Sequence, residues 1–66
     1  MAVAKVIEIT ASSPTSFAEA VKVGISKASE TVHGIRGAWV SEESVVVEND
    51  AVTEFRVTMR VSFVLD

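Results

Sequence analysis

The sequence predicts an α+β domain of order β-α-β-β, a three-stranded antiparallel sheet with one helix laid across one face. Three observations lead there. Apolar residues recur at steps of three and four between residues 17 and 32, the period of a helix with one buried stripe. Phe55, Val57, Met59, Val61, Phe63 and Leu65 alternate with Glu54, Arg56, Thr58, Arg60 and Ser62, the period of a half-buried strand. Two turn formers, Asn49 and Asp50, separate that strand from a run ending VVVE, as in a hairpin.

The elements follow in order. Residues 5–10 read as the first strand, with Ile7 and Ile9 on one face and Val6 and Glu8 on the other. The segment ASSPTS holds the only proline and several hydroxyls, so it is a loop into a helix. Ser16 with Glu19 fits a capping box, which starts the helix near Phe17. Its expected buried stripe is Ala18, Val21, Ile25, Ala28 and Val32, with His33 at its C-terminal end. Gly24 in mid-helix costs about 0.5–1 kcal/mol relative to alanine and marks close approach of a neighbouring backbone. Gly34 and Gly37 suit the helix end and the entry to the next strand. Residues 38–48 form that strand, whose acidic middle, Glu42 and Glu43, marks a bend or bulge.

One domain, residues 1–66, is all this length can form, and a chain so short buries only about 60% of its unfolded surface. With no cysteine, disulfides, zinc–thiolate and iron–sulfur sites are excluded. Nearly half of the residues (48%) are hydrophobic, so association of copies is the expected source of further burial. A net charge of −3 with scattered basic residues argues against nucleic acid. The N-terminal run MAVAKVIEI carries charges and no long apolar stretch, so neither a signal peptide nor a membrane span is expected, and the default location is cytoplasmic.

No nucleophile–base spacing is visible, and the lone His33 is read as finishing a helix turn, so no enzyme activity is expected. Glu42, Glu48 and Asp50 are hard oxygen donors of the type calcium takes, without the spacing of an EF-hand. Copies of them around an oligomer axis can build a site that one chain lacks. Arg56 and Arg60 share the strand face opposite Phe55, Val57 and Met59, available to an intersubunit ion pair or an anionic ligand. Trp39, the only tryptophan, is open to two readings: an aromatic anchor in a subunit contact, or a stacking surface for a flat ligand.

Through KVIEITASSPTSFAEAV, ASETV and FRVTMRVSFVLD the chain resembles the dodecins over nearly its whole length. The resemblance implies a sheet wrapped around its helix and a homododecamer, a hollow shell of 23 symmetry. It also implies, in many members, flavins bound in pairs at subunit contacts. Flavin-binding members stack the flavin on a tryptophan at the start of the second strand and hydrogen-bond it from a glutamine on the third. Ungapped matching places those positions at Gly37 and Arg56. An arginine donates but cannot accept, so it cannot read a mixed donor and acceptor edge as an amide does. The pattern IRGAWV with FRV also resembles a subgroup described as calcium-binding.

The expected function is therefore storage of a small ligand by a homododecamer without turnover. A flavin, riboflavin or FMN, is the leading ligand, held by Arg36, Gly37, Ala38, Trp39 and Arg56. The alternatives are a shell that binds calcium or another divalent cation through Glu42, Glu48 and Asp50, and a purely structural assembly.

Overall fold

The structure, a computed structural model, describes residues 3–65, so residues 1, 2 and 66 of the expected 1–66 domain lie outside it. The elements are β1 (Val3–Ser13), α1 (Phe17–Ala28), β2 (Ile35–Glu48) and β3 (Ala51–Leu65). The β-α-β-β order is the expected one. The sheet is antiparallel in the order β1-β3-β2, which makes the most regularly alternating strand the central one. That position suits β3, because a central strand buries its apolar face most completely and needs the cleanest alternation.

Both hairpin strands run longer than expected: β3 begins at the first residue outside the turn, Ala51 opposite Glu48, and β2 begins at Ile35, opposite Phe63. Asn49 (φ 51°) and Asp50 (φ 63°) both lie in the left-handed region. A two-residue hairpin turn of the I′ type requires this, and Asn and Asp tolerate it better than other residues with a side chain. The result is a long two-stranded arm, and the molecule measures 52 × 20 × 14 Å.

The helix begins where the sequence places it. The Ser16 side chain accepts a hydrogen bond from the Glu19 amide at 3.0 Å, which satisfies one of the free first-turn donors. The buried stripe differs from expectation: Ala20 and Gly24 are buried, with Phe17, Val21, Ile25 and Ala28 half-buried, while Ala18 is exposed. Small residues occupy the line of closest approach, a role that hydrophobicity alone does not reveal. The helix also ends earlier, at Ala28, so Val32 and His33 lie in the following loop and His33 finishes no helical turn. At residues 30 and 31 the backbone tightens: the Glu30 amide donates to the Lys27 carbonyl and the Thr31 amide to that of Ala28, both at 3.2 Å and three residues back instead of four. Ser29 Oγ donates to the Ser26 carbonyl (2.7 Å), the one Glu30 would use in a continued helix, while the Ala28 carbonyl still accepts from the Val32 amide at 2.9 Å. Gly34, at φ 78°, then turns the chain into β2, and its carbonyl accepts from the Val64 amide at 3.1 Å.

The helix lies over β1 and β3 and not over β2. Between them Ala20, Val57, Met59 and Val61 are fully buried, flanked by Ile7, Ile9, Ala11, Phe17, Val21, Ile25 and Ile35. Phe17 and Phe55 close one end in an edge-to-face pair, with centroids 5.2 Å apart. Val40, Val45 and Val47 pair with Met59, Phe55 and Val52, in line with the helix side, yet remain exposed because nothing among the described residues covers the arm. Among the described residues no helix is long and apolar enough to cross a membrane.

Gly24 is where the packing is tightest. A Cβ built there would stand 2.7 Å from Met59 Cε and 2.9 Å from Ala11 Cβ. The methionine tip can rotate away, but the Ala11 Cβ is fixed to the β1 backbone, so the helix would have to lift off the sheet. Gly24→Ala is therefore expected to destabilise the fold by about 1–3 kcal/mol, overpacking outweighing the ~0.5–1 kcal/mol that alanine contributes to a helix. Chemical denaturation at fixed subunit concentration checks it, and a stabilised variant would show that the helix stands further off than this.

Candidate functional site

Val57, Met59 and Val61 are buried against the helix, so Arg56, Thr58, Arg60 and Ser62 between them project from the opposite face of the sheet. The ladders set four rows across that outward face. Val6, Ser62 and Gly37 form the first, Glu8, Arg60 and Trp39 the second, Thr10, Thr58 and Glu42 the third, and Ser12, Arg56 and Ser44 the fourth. Within them Thr10 and Thr58 approach at 3.3 Å between hydroxyls, and the Ser62 hydroxyl donates to the Gly37 carbonyl at 3.3 Å.

The register of β2 shifts between Ile35 and Gly37, between Val40 and Glu42, and between Val46 and Val47. No shift separates Gly37 from Trp39, so both stand on the outward face, as strict alternation requires. The expected bulge near the acidic segment is present: Ser41 is the extra residue, and its hydroxyl donates to the Thr58 carbonyl at 3.1 Å. It turns Glu42 onto the same face as Trp39, which strict alternation would forbid.

Each expected ligand residue can now be placed. Arg36 is the extra residue of the first shift and is exposed. Ala38 lies opposite Val61, on the helix side, so only its backbone borders the outward face. Trp39 and Arg56 share a face but not a row. Arg56 stands four residues along β3 from Arg60, about 13 Å at strand spacing, and its Nη2 is 3.7 Å from Glu54 Oε2. The residue directly across from Trp39 is Arg60, whose Nε is 4.0 Å from Glu8 Oε2. Arg60, read from the sequence as a partner for an ion pair or an anionic ligand, is not among the residues expected to hold a flavin. Counting outward from the Asn49–Asp50 turn, one residue on each strand at a time, would have reached it.

The position matched to the flavin-stacking tryptophan has open space above it. A Cβ at Gly37 would meet only Ser62 Oγ, at 3.7 Å. With no ring there and a donor-only guanidinium at position 56, the residues do not fit the flavin pocket that the resemblance implies.

For a cation, Glu42, Glu48 and Asp50 do not converge: six residues of strand, about 20 Å, separate Glu42 from Glu48. Among the described residues no three carboxylate or imidazole groups come together. Calcium takes carboxylate, carbonyl and water oxygens, so a site that joins all three of these carboxylates needs more than one copy. The ion pairs among the described residues engage Glu8, Glu30 and Glu54, leaving Glu42, Glu43, Glu48 and Asp50 exposed without a cationic partner there.

Comparison with known proteins follows the same line. The family model described as Dodecin matches residues 3–66. The chain is 36% identical over 63 residues to the calcium dodecin of Mycobacterium tuberculosis, covering 96% of this chain and 89% of that protein. Among solved structures it matches a dodecin from Streptomyces davaonensis with a TM-score of 0.96 at 31% identity, over 98% of this chain and 96% of that one. The M. tuberculosis calcium dodecin, described as calcium-chelating with a novel calcium-binding site, matches with a TM-score of 0.85 at 34% identity, over 97% and 91% of the two chains. The chain belongs to the dodecin family.

Proposed function

We propose that this chain is the subunit of a homododecameric shell that holds a small ligand at subunit contacts and catalyses nothing, with calcium as that ligand. The observation that carries the calcium reading is the acidic arm: Glu42, Glu43, Glu48 and Asp50 stand exposed along β2 and its turn, uncompensated among the described residues. Such a charge run repels itself when copies gather, and a divalent cation shared between arms removes the repulsion. The named calcium dodecin supports the same ligand. The uncovered valines of the arm supply the reason to assemble, since burying them against other copies adds the apolar area that so small a core lacks.

The test is calorimetric titration of calcium into chelator-stripped protein. Saturable binding is expected, weakened at least tenfold in the Glu42→Gln, Glu48→Gln, Asp50→Asn triple variant, which loses three carboxylates without losing volume. Unchanged affinity in that variant would remove these carboxylates as ligands. A second reading, a flat ligand on the outward face, is favoured by one observation: Trp39 is 49% exposed there beside the open Gly37 position.

A further inference from the structure

The row of Glu8, Arg60 and Trp39 is where an aromatic ring and a guanidinium stand directly opposite each other on an open sheet face. We infer that Trp39 and Arg60 form a binding site for a planar aromatic ligand carrying a single acidic group, with Gly37 and Ser62 as its floor. The inference rests on the reading of the outward face as one that takes a flat ligand.

The ring comes first. Trp39 lies on the edge strand β2 and keeps 49% of its surface exposed, a large apolar area for a residue whose burial contributes so much. Beside it the next position on the same face has no side chain, and the nearest atom to a Cβ there would be Ser62 Oγ at 3.7 Å. A flat ring can therefore approach the backbone at Gly37 while contacting Trp39. Val6, 47% exposed on the far side of Ser62, gives the floor an apolar margin.

The charge comes from Arg60. Directly opposite residues on one face carry their Cβ atoms about 4.5–5.5 Å apart, so the guanidinium is within reach of a group lying against the indole. Its pairing with Glu8 is loose: the atoms are 4.0 Å apart, and the side chains remain 56% and 61% exposed. Such a surface pair contributes little, and most of the guanidinium's five donors stay available to a ligand acid. Glu8 in the same row and Glu42 in the next flank the arginine and repel further negative charge. This selects one acidic group over a polyphosphate. Arg56 lacks these features, since it stands between Ser12 and Ser44 with no ring in its row.

The experiment uses the intact assembly with 5-fluorotryptophan at the single tryptophan, which gives one 19F signal for the site. It is titrated with 2-naphthoate and with the neutral 2-naphthamide, in the wild type, Arg60→Gln and Arg56→Gln, with assembly mass followed by light scattering. The naphthoate is expected to bind on the order of tenfold more tightly than the amide, as one charge-assisted contact provides. Arg60→Gln should erase the difference, and Arg56→Gln should preserve it. Equal affinity for the two probes, or a preference that survives Arg60→Gln, overturns the role of Arg60 while leaving a flat-ligand face in place. No response to either probe overturns the site and the face together, as does loss of the assembly in Trp39→Ala, which would make the indole an interface anchor.

Discussion

Met59→Ala should lower stability by about 2–5 kcal/mol, the range for emptying a fully buried long side chain. Met59 is 0% exposed, sits at the centre of β3 with Ile9 and Val40 on either side, and its Cε reaches to within 2.7 Å of where a Cβ on Gly24 would be. It is thus the peg that fills the space the helix glycine leaves. Domains of this size rarely draw more than about 3–5 kcal/mol from one core, so most of the subunit's own stability is at stake. Denaturant midpoints measured at two subunit concentrations separate this loss from weakened assembly, because only assembly makes the midpoint concentration-dependent. Met59→Leu, which conserves volume, should cost less than about 1.5 kcal/mol. In a Gly24→Ala background, Met59→Ala should cost less than it does alone, since the new methyl group fills part of the cavity. Strict additivity of the two would show that the side chains do not share that space.

Gly37→Trp combined with Arg56→Gln should raise riboflavin affinity by roughly 10- to 1,000-fold over the wild type. The estimate adds one aromatic stack at about 1–3 kcal/mol to one amide hydrogen bond at about 0.5–1.5 kcal/mol. The backbone admits the change: position 37 is not in the left-handed region, and a side chain there meets only the Ser62 hydroxyl at ordinary contact distance. Among the described residues Arg56 is held only by a surface pair with Glu54, so its replacement costs the fold little. Quenching of flavin emission on titration gives the affinity. A double variant that binds riboflavin no better than the wild type would mean that these two positions do not limit flavin binding at this face.

Much of the fold was legible because its causes are local. The Ser16 cap, the alternation of β3 and the Asn49–Asp50 turn each act within a few residues, and each is present in the structure. The helix ends before its apolar periodicity does for a reason that is also local: the backbone at residues 30 and 31 tightens to bonds three residues back, and the Ser29 hydroxyl takes the Ser26 carbonyl. The expected stripe holds at Val21 and Ile25, which pack against the core, but its deepest positions are Ala20 and Gly24, buried for their smallness, and Ala18 is exposed.

The outward face depends on register, and register depends on bulges. Thr53 is an extra residue on β3 and Ser41 an extra residue on β2, and the two offsets cancel before Trp39, so the simple count from the turn again holds there. Between them it fails by one, which is why Glu42 faces outward with Trp39. The sequence by itself determined the β-α-β-β order, the site of the hairpin turn and the family. Tertiary structure decided that β3 is central, that the arm of β2 lies bare beside the helix, and that Arg60 rather than Arg56 faces Trp39. Those outcomes are set by pairing between residues distant in the chain, where one inserted residue moves a side chain to the other face and no neighbouring residue records the change.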